Sequence, residues 1–542
     1  MKTFVKISVS LASVALCFCL ASCSFLSALF SFHSNLSGGT QQSHAGKISF
    51  SENDLNRARL QMSELDDLIE GGGKERTFTA AMTAMDKYYY DVTEAFQTAY
   101  INYCMYGRQS DLEEYGEYYS VYIDFAQWYN KAYHALMSSP FRQVFYGDMS
   151  DEEILELIGE EKSDEYYALT LQINELQTQF GDLSYEEAQA NAPELMAQFV
   201  RVANSLAVEE GYDNYLEYCY ENVYLRDYSP EDTDGFFGNV RTYVGEALTK
   251  NYQSFNPQAD LEYSDYIVFN NFYAYNGYTE FMDVFDDYAS DMGGRYYDAY
   301  RYLWSGRGYY YISAEDDGFQ GAFTDYFIKA DEPYVYFGPH YRSILTLVHE
   351  FGHYFVFTQS SGNACMDLSE TQSQGDEMMF MRYMFDNYRM SDDLIGVIET
   401  EKMTEVYREI IMCGLVNEFE KYVYTKENIT AADIVRFESA FERVFREKLS
   451  KSMDFDFSSY WRMVCIQSPG YYISYATSLM NCLELYALAS DDYAAAKNAY
   501  MKLCVYDYEN LGYLDVLDYA GLSNPLGDKI FEKLFVAGKG ML

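Results

Sequence analysis

The chain has 542 residues, 49% of them hydrophobic, enough to bury a large core. Its net charge of −46 argues against nucleic acid as a partner, because such a surface repels phosphate backbones. The acids are dispersed rather than gathered in one block, as on an ordinary solvated surface.

In chain order, Lys2 and Lys6 form a short basic region, followed by an apolar run from Ile7 to Leu20 that is too short to span a bilayer as a stable helix. The run ends in Leu20-Ala21-Ser22-Cys23, which resembles the lipobox of bacterial lipoproteins. That resemblance implies cleavage before Cys23 and a lipid on its sulfur. Residues 1–22 are then a signal peptide, and their removal with two lysines takes the charge from −46 to −48. Residues 23–48, rich in Ser, Gly and Gln, read as a flexible tether. No later segment is apolar over a membrane's width, so the expected protein is held to the outer side of the cytoplasmic membrane without spanning it.

Ten cysteines include Cys17, Cys19 and Cys23 at the start. The other seven, Cys104, Cys219, Cys365, Cys413, Cys465, Cys482 and Cys504, are odd in number and lack CxxC spacing. A disulfide framework and a cysteine zinc site are both disfavoured, and small core residues are expected.

Residues 49–542 read as one mainly helical domain. Leu55, Ala58, Leu65 and Leu68 make a helical stripe closed by Gly71-Gly72-Gly73. Only 8 prolines occur, so long helices are seldom interrupted, and 58 tyrosines suit a buried helical core with many polar tips. The clearest strand is Tyr334–Phe337, between Pro333 and Gly338. No obligate protein partner is evident.

His349-Glu350-Phe351-Gly352-His353 is an HExxH sequence. On a helix, residues i and i+4 share a face, so two imidazoles at this spacing can bind one Zn²⁺. Glu350 then lies beside the open position and can take a proton from an attacking water. Ile344, Leu345, Leu347, Val348, Phe351 and Phe355 supply apolar faces for a buried helix, ended by Ser360-Ser361-Gly362. With only six histidines in the chain, the spacing is a strong signal.

Catalytic zinc wants a third protein ligand. His33 and His44 fall in the tether, His134 has no supporting motif, and His340 precedes His349 on what reads as the same helix. A carboxylate is the better candidate. Glu370 opens a second helical pattern on which Ser373 and Glu377 share its face, placed to orient the site. Spacing leaves Asp367 and Glu377 open as alternative ligands.

HEFGH followed by E-x-x-S-x-x-x-E resembles the thimet oligopeptidase and oligoendopeptidase F family of zinc peptidases. The likeness takes in Gly318–Phe323, Pro333–Val335, Thr346–Glu350, Arg201–Tyr215 and Pro469–Tyr475, between about residues 200 and 480. It implies a large helical bowl or clamshell of the zincin type, with a small β element next to the active-site helix and a deep channel for oligopeptides. It also implies one zinc ion on His349, His353 and Glu370, substrate backbone lying along the Tyr334 strand, and tyrosine hydroxyls facing the scissile carbonyl. Of these tyrosines Tyr475 matches best, with help from Tyr472 or Tyr471. The sequence departs from the family in a shorter gap from His353 to Glu370, and in having no histidine in Val464–Ser468.

The expected activity is zinc-dependent endopeptidase cleavage of short unfolded peptides. The alternatives are a catalytically weak or inactive peptide-binding lipoprotein of the same fold, favoured by the missing histidine, and an exo-acting peptidase.

Overall fold

The computed structural model describes residues 50–536, apart from 182, 255–260, 275–277, 314–317, 340–342, 360–364, 449–456 and 506–510. The expected leader and tether with Cys23, as well as His340 and the Ser360-Ser361-Gly362 helix stop, lie outside the described residues.

Helix α1 (Glu52–Gly71) starts with a capping box: the Ser51 side chain accepts from the Asp54 amide, and Asp54 accepts from the Ser51 amide. It buries Ala58, Leu65 and Ile69, while Leu55 and Leu68 are half-buried. Gly72 ends it at φ 74°, backbone that favours glycine. α2 (Glu75–Tyr106) and α3 (Gln109–Ser138) lie alongside each other, and with α1 they bury an apolar cluster of their own. Its centre is aromatic, with Tyr89 and Tyr129 edge to face at 5.6 Å and the Tyr129 hydroxyl donating to Asp86 at 3.1 Å. Tyrosine thus fills the core while its polar tip finds a partner.

Most of the remaining helices build the main core, while Tyr146, Ile154 and Tyr167 join the first cluster. α4 (Asp164–Gly181) and α5 (Tyr185–Glu209) pair, and further helical segments between Tyr215 and Trp304 precede a three-stranded sheet. Strands β1 (Tyr309–Ile312), β2 (Ala322–Phe327) and β3 (Glu332–Phe337) run in the order β1-β3-β2, parallel between β1 and β3 and antiparallel between β3 and β2. The period-2 alternation of β3 splits its side chains between two cores. Tyr334 and Tyr336 join Ile101 and Cys104 of α2, while Val335 and Phe337 join the main core. β3, the strand expected to receive substrate, is paired on both sides and has no edge to offer. The edges belong to β1 and β2.

Against the sheet lies α6 (Ile344–Gln359), followed by α7 (Met366–Asn387), α8 (Asp392–Thr425) and α9 (Ile473–Asp491). Helix α7 starts four residues before Glu370, earlier than its sequence pattern suggests. Its buried polar run is held by bonds to other helices: the Gln372 amide donates to the Leu503 carbonyl at 2.6 Å, and Ser478 donates to Gln374 at 2.7 Å. All seven cysteines after Cys23 are buried and outside any disulfide, the small core residues expected. No helix among the described residues is long and apolar enough to cross a membrane.

Candidate active site

The HExxH segment sits in the middle of α6, and its glycine explains how a second helix comes so near. A Cβ on Gly352 would lie 2.9 Å from the Ser373 Cα of α7, so α6 and α7 cross with almost no space between backbones. That crossing brings Glu370 to the histidines. Ligand atoms of His349, His353 and Glu370 all fall within 4.8 Å of one another.

Each imidazole is oriented from behind. His349 Nδ1 donates to Glu377 Oε1 at 2.7 Å, and Glu377 is held in turn by Lys402 Nζ at 2.8 Å. His353 Nδ1 pairs with Ser369 Oγ at 3.2 Å. With Nδ1 engaged on both rings, the Nε2 atoms turn inward, and both are buried without a hydrogen-bond partner. Two orphaned imidazole nitrogens facing a carboxylate, each steadied through its other nitrogen, form a donor set with outer support that could hold a metal ion.

The electrostatics agree. Burial opposes charge on both histidines, but at His349 the Glu377 bond together with the charges of Glu377, Glu350 and Glu370 outweighs it and lifts that ring to about 9. His353, with burial and then His349 acting against it, is pushed well below the usual histidine range and stays neutral. Burial alone would raise Glu377, yet Lys402 and His349 hold it at about 2. The carboxylates that draw a proton to His349 would draw a metal cation in the same way.

Ser373 and Glu377 lie where the shared helical face puts them. Ser373 Oγ is 3.5 Å from Glu370 Oε2, and Glu377 touches His349. Of the alternatives left open for the third ligand, Asp367 is turned away. It accepts from Arg226 Nε at 2.7 Å, Thr477 at 2.5 Å, Ser474 at 2.9 Å and the Tyr228 hydroxyl. Glu377 is likewise committed to His349 and Lys402.

Glu350 is 1% exposed, and burial raises its carboxyl to about 7. Thr324 of β2 donates to its Oε2 at 2.8 Å. The tyrosine segment closes the opposite side. The Tyr471 hydroxyl donates to Glu370 Oε1 at 2.5 Å and lies 3.2 Å from the Tyr475 hydroxyl. Tyr472 packs its ring against Tyr460 and Tyr475, each at 5.8 Å. Tyr471 thus touches the ligand set, with the Tyr475 hydroxyl beside it. Arg226, fully buried, fixes this loop by donating to the Gly470 carbonyl at 2.9 Å while pairing with Asp367. Gly470 itself has φ 74°, and a Cβ there would come within 3.2 Å of Leu216.

Thr324, Ser369, Lys402 and Arg226 escape a reading of the sequence. Ser369 adjoins Glu370, and Thr324 directly follows the Gly318–Phe323 segment, but nothing local marks Lys402 or Arg226, which are far from the motifs in sequence.

The arrangement can be set beside known structures. PZ peptidase A, solved with an inhibitor, superposes with a TM-score of 0.65 at 16% identity, over 90% of this chain and 97% of that one. The fold is that of oligoendopeptidase F. A structure assigned as oligoendopeptidase F gives a TM-score of 0.66 at 15% identity, over 90% of this chain and 96% of the other. Oligoendopeptidase F from Enterococcus faecium gives 0.55 at 12% identity, over 89% and 94%. No protein-family profile and no curated protein sequence matches the chain. The mainly helical architecture with a small sheet beside the HExxH helix, expected from the sequence, is thus the oligoendopeptidase F fold.

Proposed function

We propose that the protein is a zinc-dependent metallopeptidase that hydrolyses short, unfolded peptides outside the cytoplasmic membrane, to which a lipid on Cys23 would hold it. The observation that carries this reading is the pair of buried, unpartnered Nε2 atoms of His349 and His353 facing Glu370. These three residues would hold the metal. Bound zinc supplies Lewis acidity, which acidifies water and polarises a carbonyl.

The chain's own residues do the rest. Glu350, between the two histidines and raised to about 7 by burial, is suited to take a proton from water and return it to the leaving amine near neutral pH. The Tyr475 hydroxyl, which lies next to Tyr471, would donate to the oxygen that becomes negative during attack. Strand β2 pairs with β3 alone among the described strands, so its other edge can add an extended peptide beside Glu350. Backbone pairing of that kind suits unfolded chains rather than folded domains, and the peptidases sharing the fold support it.

The test is to incubate purified protein with a mixed peptide library and to map cuts by mass spectrometry, with a chelator and then zinc restored. Internal cuts that vanish and return with zinc are expected. Peptides retained uncut would establish the binding-protein reading instead, and removal of single terminal residues would establish exopeptidase action. Membrane anchoring is checked by fractionating cells that express the full chain and its Cys23→Ala variant, the second of which should leave the membrane.

A further inference from the structure

Glu350 has a difficult position for a base. It is buried, and a buried carboxylate oxygen needs a hydrogen-bond donor to fix where it points. Among the described residues, the hydrogen-bond donor to its side chain is Thr324 alone, with Oγ1 at 2.8 Å from Oε2. The same hydroxyl is 2.9 Å from the Glu350 backbone carbonyl, so its one proton is shared between the main chain and the side chain of this residue.

The sheet fixes that point. Thr324 is registered opposite Val335 in the antiparallel β2–β3 pair. Alternation turns Ala322 and Thr324 toward α6, while Phe323 on the other face packs on Tyr336 at 5.0 Å. Thr324 is 1% exposed and β-branched, and therefore stiff in χ1. Its hydroxyl is thus carried on a rigid strand rather than on a loop.

We propose that Thr324 is the positioning residue for the catalytic base: its hydroxyl holds one oxygen of Glu350 so that the other is left to take the proton. The proposal rests on Glu350 acting as base, and it adds that the strand offering an edge to substrate also sets the direction of the carboxylate. Substrate docked along β2 would then be in register with the base that activates water against it.

The experiment compares Thr324→Val, Thr324→Ser, Glu350→Gln and the double variant Thr324→Val/Glu350→Gln, on a fluorogenic peptide, with zinc content and melting temperature measured for each. Thr324→Val keeps the shape and deletes the donor. Its kcat should fall about 10- to 100-fold, the range for a hydrogen bond to a charged group, with KM within about 2-fold and zinc content unchanged. Thr324→Ser, which restores a hydroxyl, should recover most of the loss. In the Glu350→Gln background the valine substitution should cost little more, because there is no base left to aim. A further full-sized loss in that background would mean Thr324 acts only through packing and would overturn the proposal, as would wild-type kcat in Thr324→Val. Full activity in Glu350→Gln would instead overturn the peptidase mechanism itself, a separate outcome.

Discussion

The Tyr471 hydroxyl donates to Glu370 Oε1 at 2.5 Å, tying the tyrosine segment before α9 to the carboxylate that completes the histidine pair. The bond spans 101 residues of sequence. It makes Tyr471 part of the support of that carboxylate, with the Tyr475 hydroxyl beside it at 3.2 Å.

Removing Glu370 should empty the site. Glu370→Ala leaves two imidazoles, and neither spare carboxylate can step in, since Asp367 is bound to Arg226 and Glu377 to Lys402. Zinc measured by mass spectrometry after gel filtration should fall to well under half of the wild-type content. Full occupancy would show that a different group binds the ion.

Glu350→Gln keeps the size and the Thr324 contact but cannot accept a proton. Zinc content should hold, while turnover drops by roughly two to four orders of magnitude, the usual contribution of acid–base help. Activity within a few-fold of wild type would remove Glu350 from the mechanism.

Part of this centre was legible in the sequence from helical spacing. His349, Glu350 and His353 follow from i,i+4 geometry, while the shared face of Glu370, Ser373 and Glu377 one helix later did not by itself choose the third ligand. The start of α7 was not legible, because Met366–Glu370 shows no apolar period: Asp367 and Glu370 are both fully buried, each satisfied by residues far away in the chain. The role of β3 was misread for a related reason. A run such as Tyr334–Phe337 shows a strand, but only pairing partners decide whether it is central or an edge, and β1 and β2 are not strongly patterned. Choosing among Tyr471, Tyr472 and Tyr475 needed the φ 74° turn at Gly470, which sets where the segment points.

Arg226 and Asp367 are both fully buried and form one ion pair. Burial opposes both charges, yet Arg226 holds Asp367 below the usual carboxylate range. Arg226→Met leaves Asp367 charged and unpaired, which costs about 3–5 kcal/mol in comparable buried pairs. The denaturation midpoint in urea should fall accordingly. Because Arg226 also holds the Gly470 carbonyl, the variant should lose activity under conditions where it is still folded. An unchanged midpoint would mean that the pair contributes nothing to stability.

Stability should also decline with pH through one buried acid. Asp376 is raised to about 7 by burial, against the pull of hydroxyls from Tyr288 and Tyr296, each at 2.6 Å. In the unfolded chain an aspartate titrates near about 4. The folded state therefore binds the proton more tightly, so this contribution is fully present below about pH 4 and is lost as pH rises through 7. Asp376→Asn removes the titration. Between pH 5 and 7 its unfolding free energy should fall less steeply than that of wild type. Parallel slopes would show that Asp376 is ionised in the fold.

The two hydroxyls at the head of α9 can be separated by substitution. Tyr471→Phe deletes the donor to Glu370, so its main effect should be on the metal: zinc should be lost to a competing chelator about 10- to 100-fold more readily, as for other outer supports of zinc ligands. Tyr475→Phe keeps the Tyr471–Glu370 bond, so zinc affinity should fall less than in Tyr471→Phe. With its hydroxyl proposed to meet the developing oxyanion, its loss should cost about 2.7–4 kcal/mol, or 10²–10³ in turnover. The effect should be at the upper end of that range, since Val464–Ser468 contains no histidine to share the task. Melting temperatures should stay near wild type in both, because each change removes one oxygen from a ring that remains packed against its neighbour at 5.2 Å. If Tyr475→Phe lowered zinc affinity and Tyr471→Phe lowered only turnover, the two roles would have to be exchanged. Normal turnover in Tyr475→Phe, with Tyr472→Phe normal as well, would leave oxyanion stabilisation to a group outside this segment.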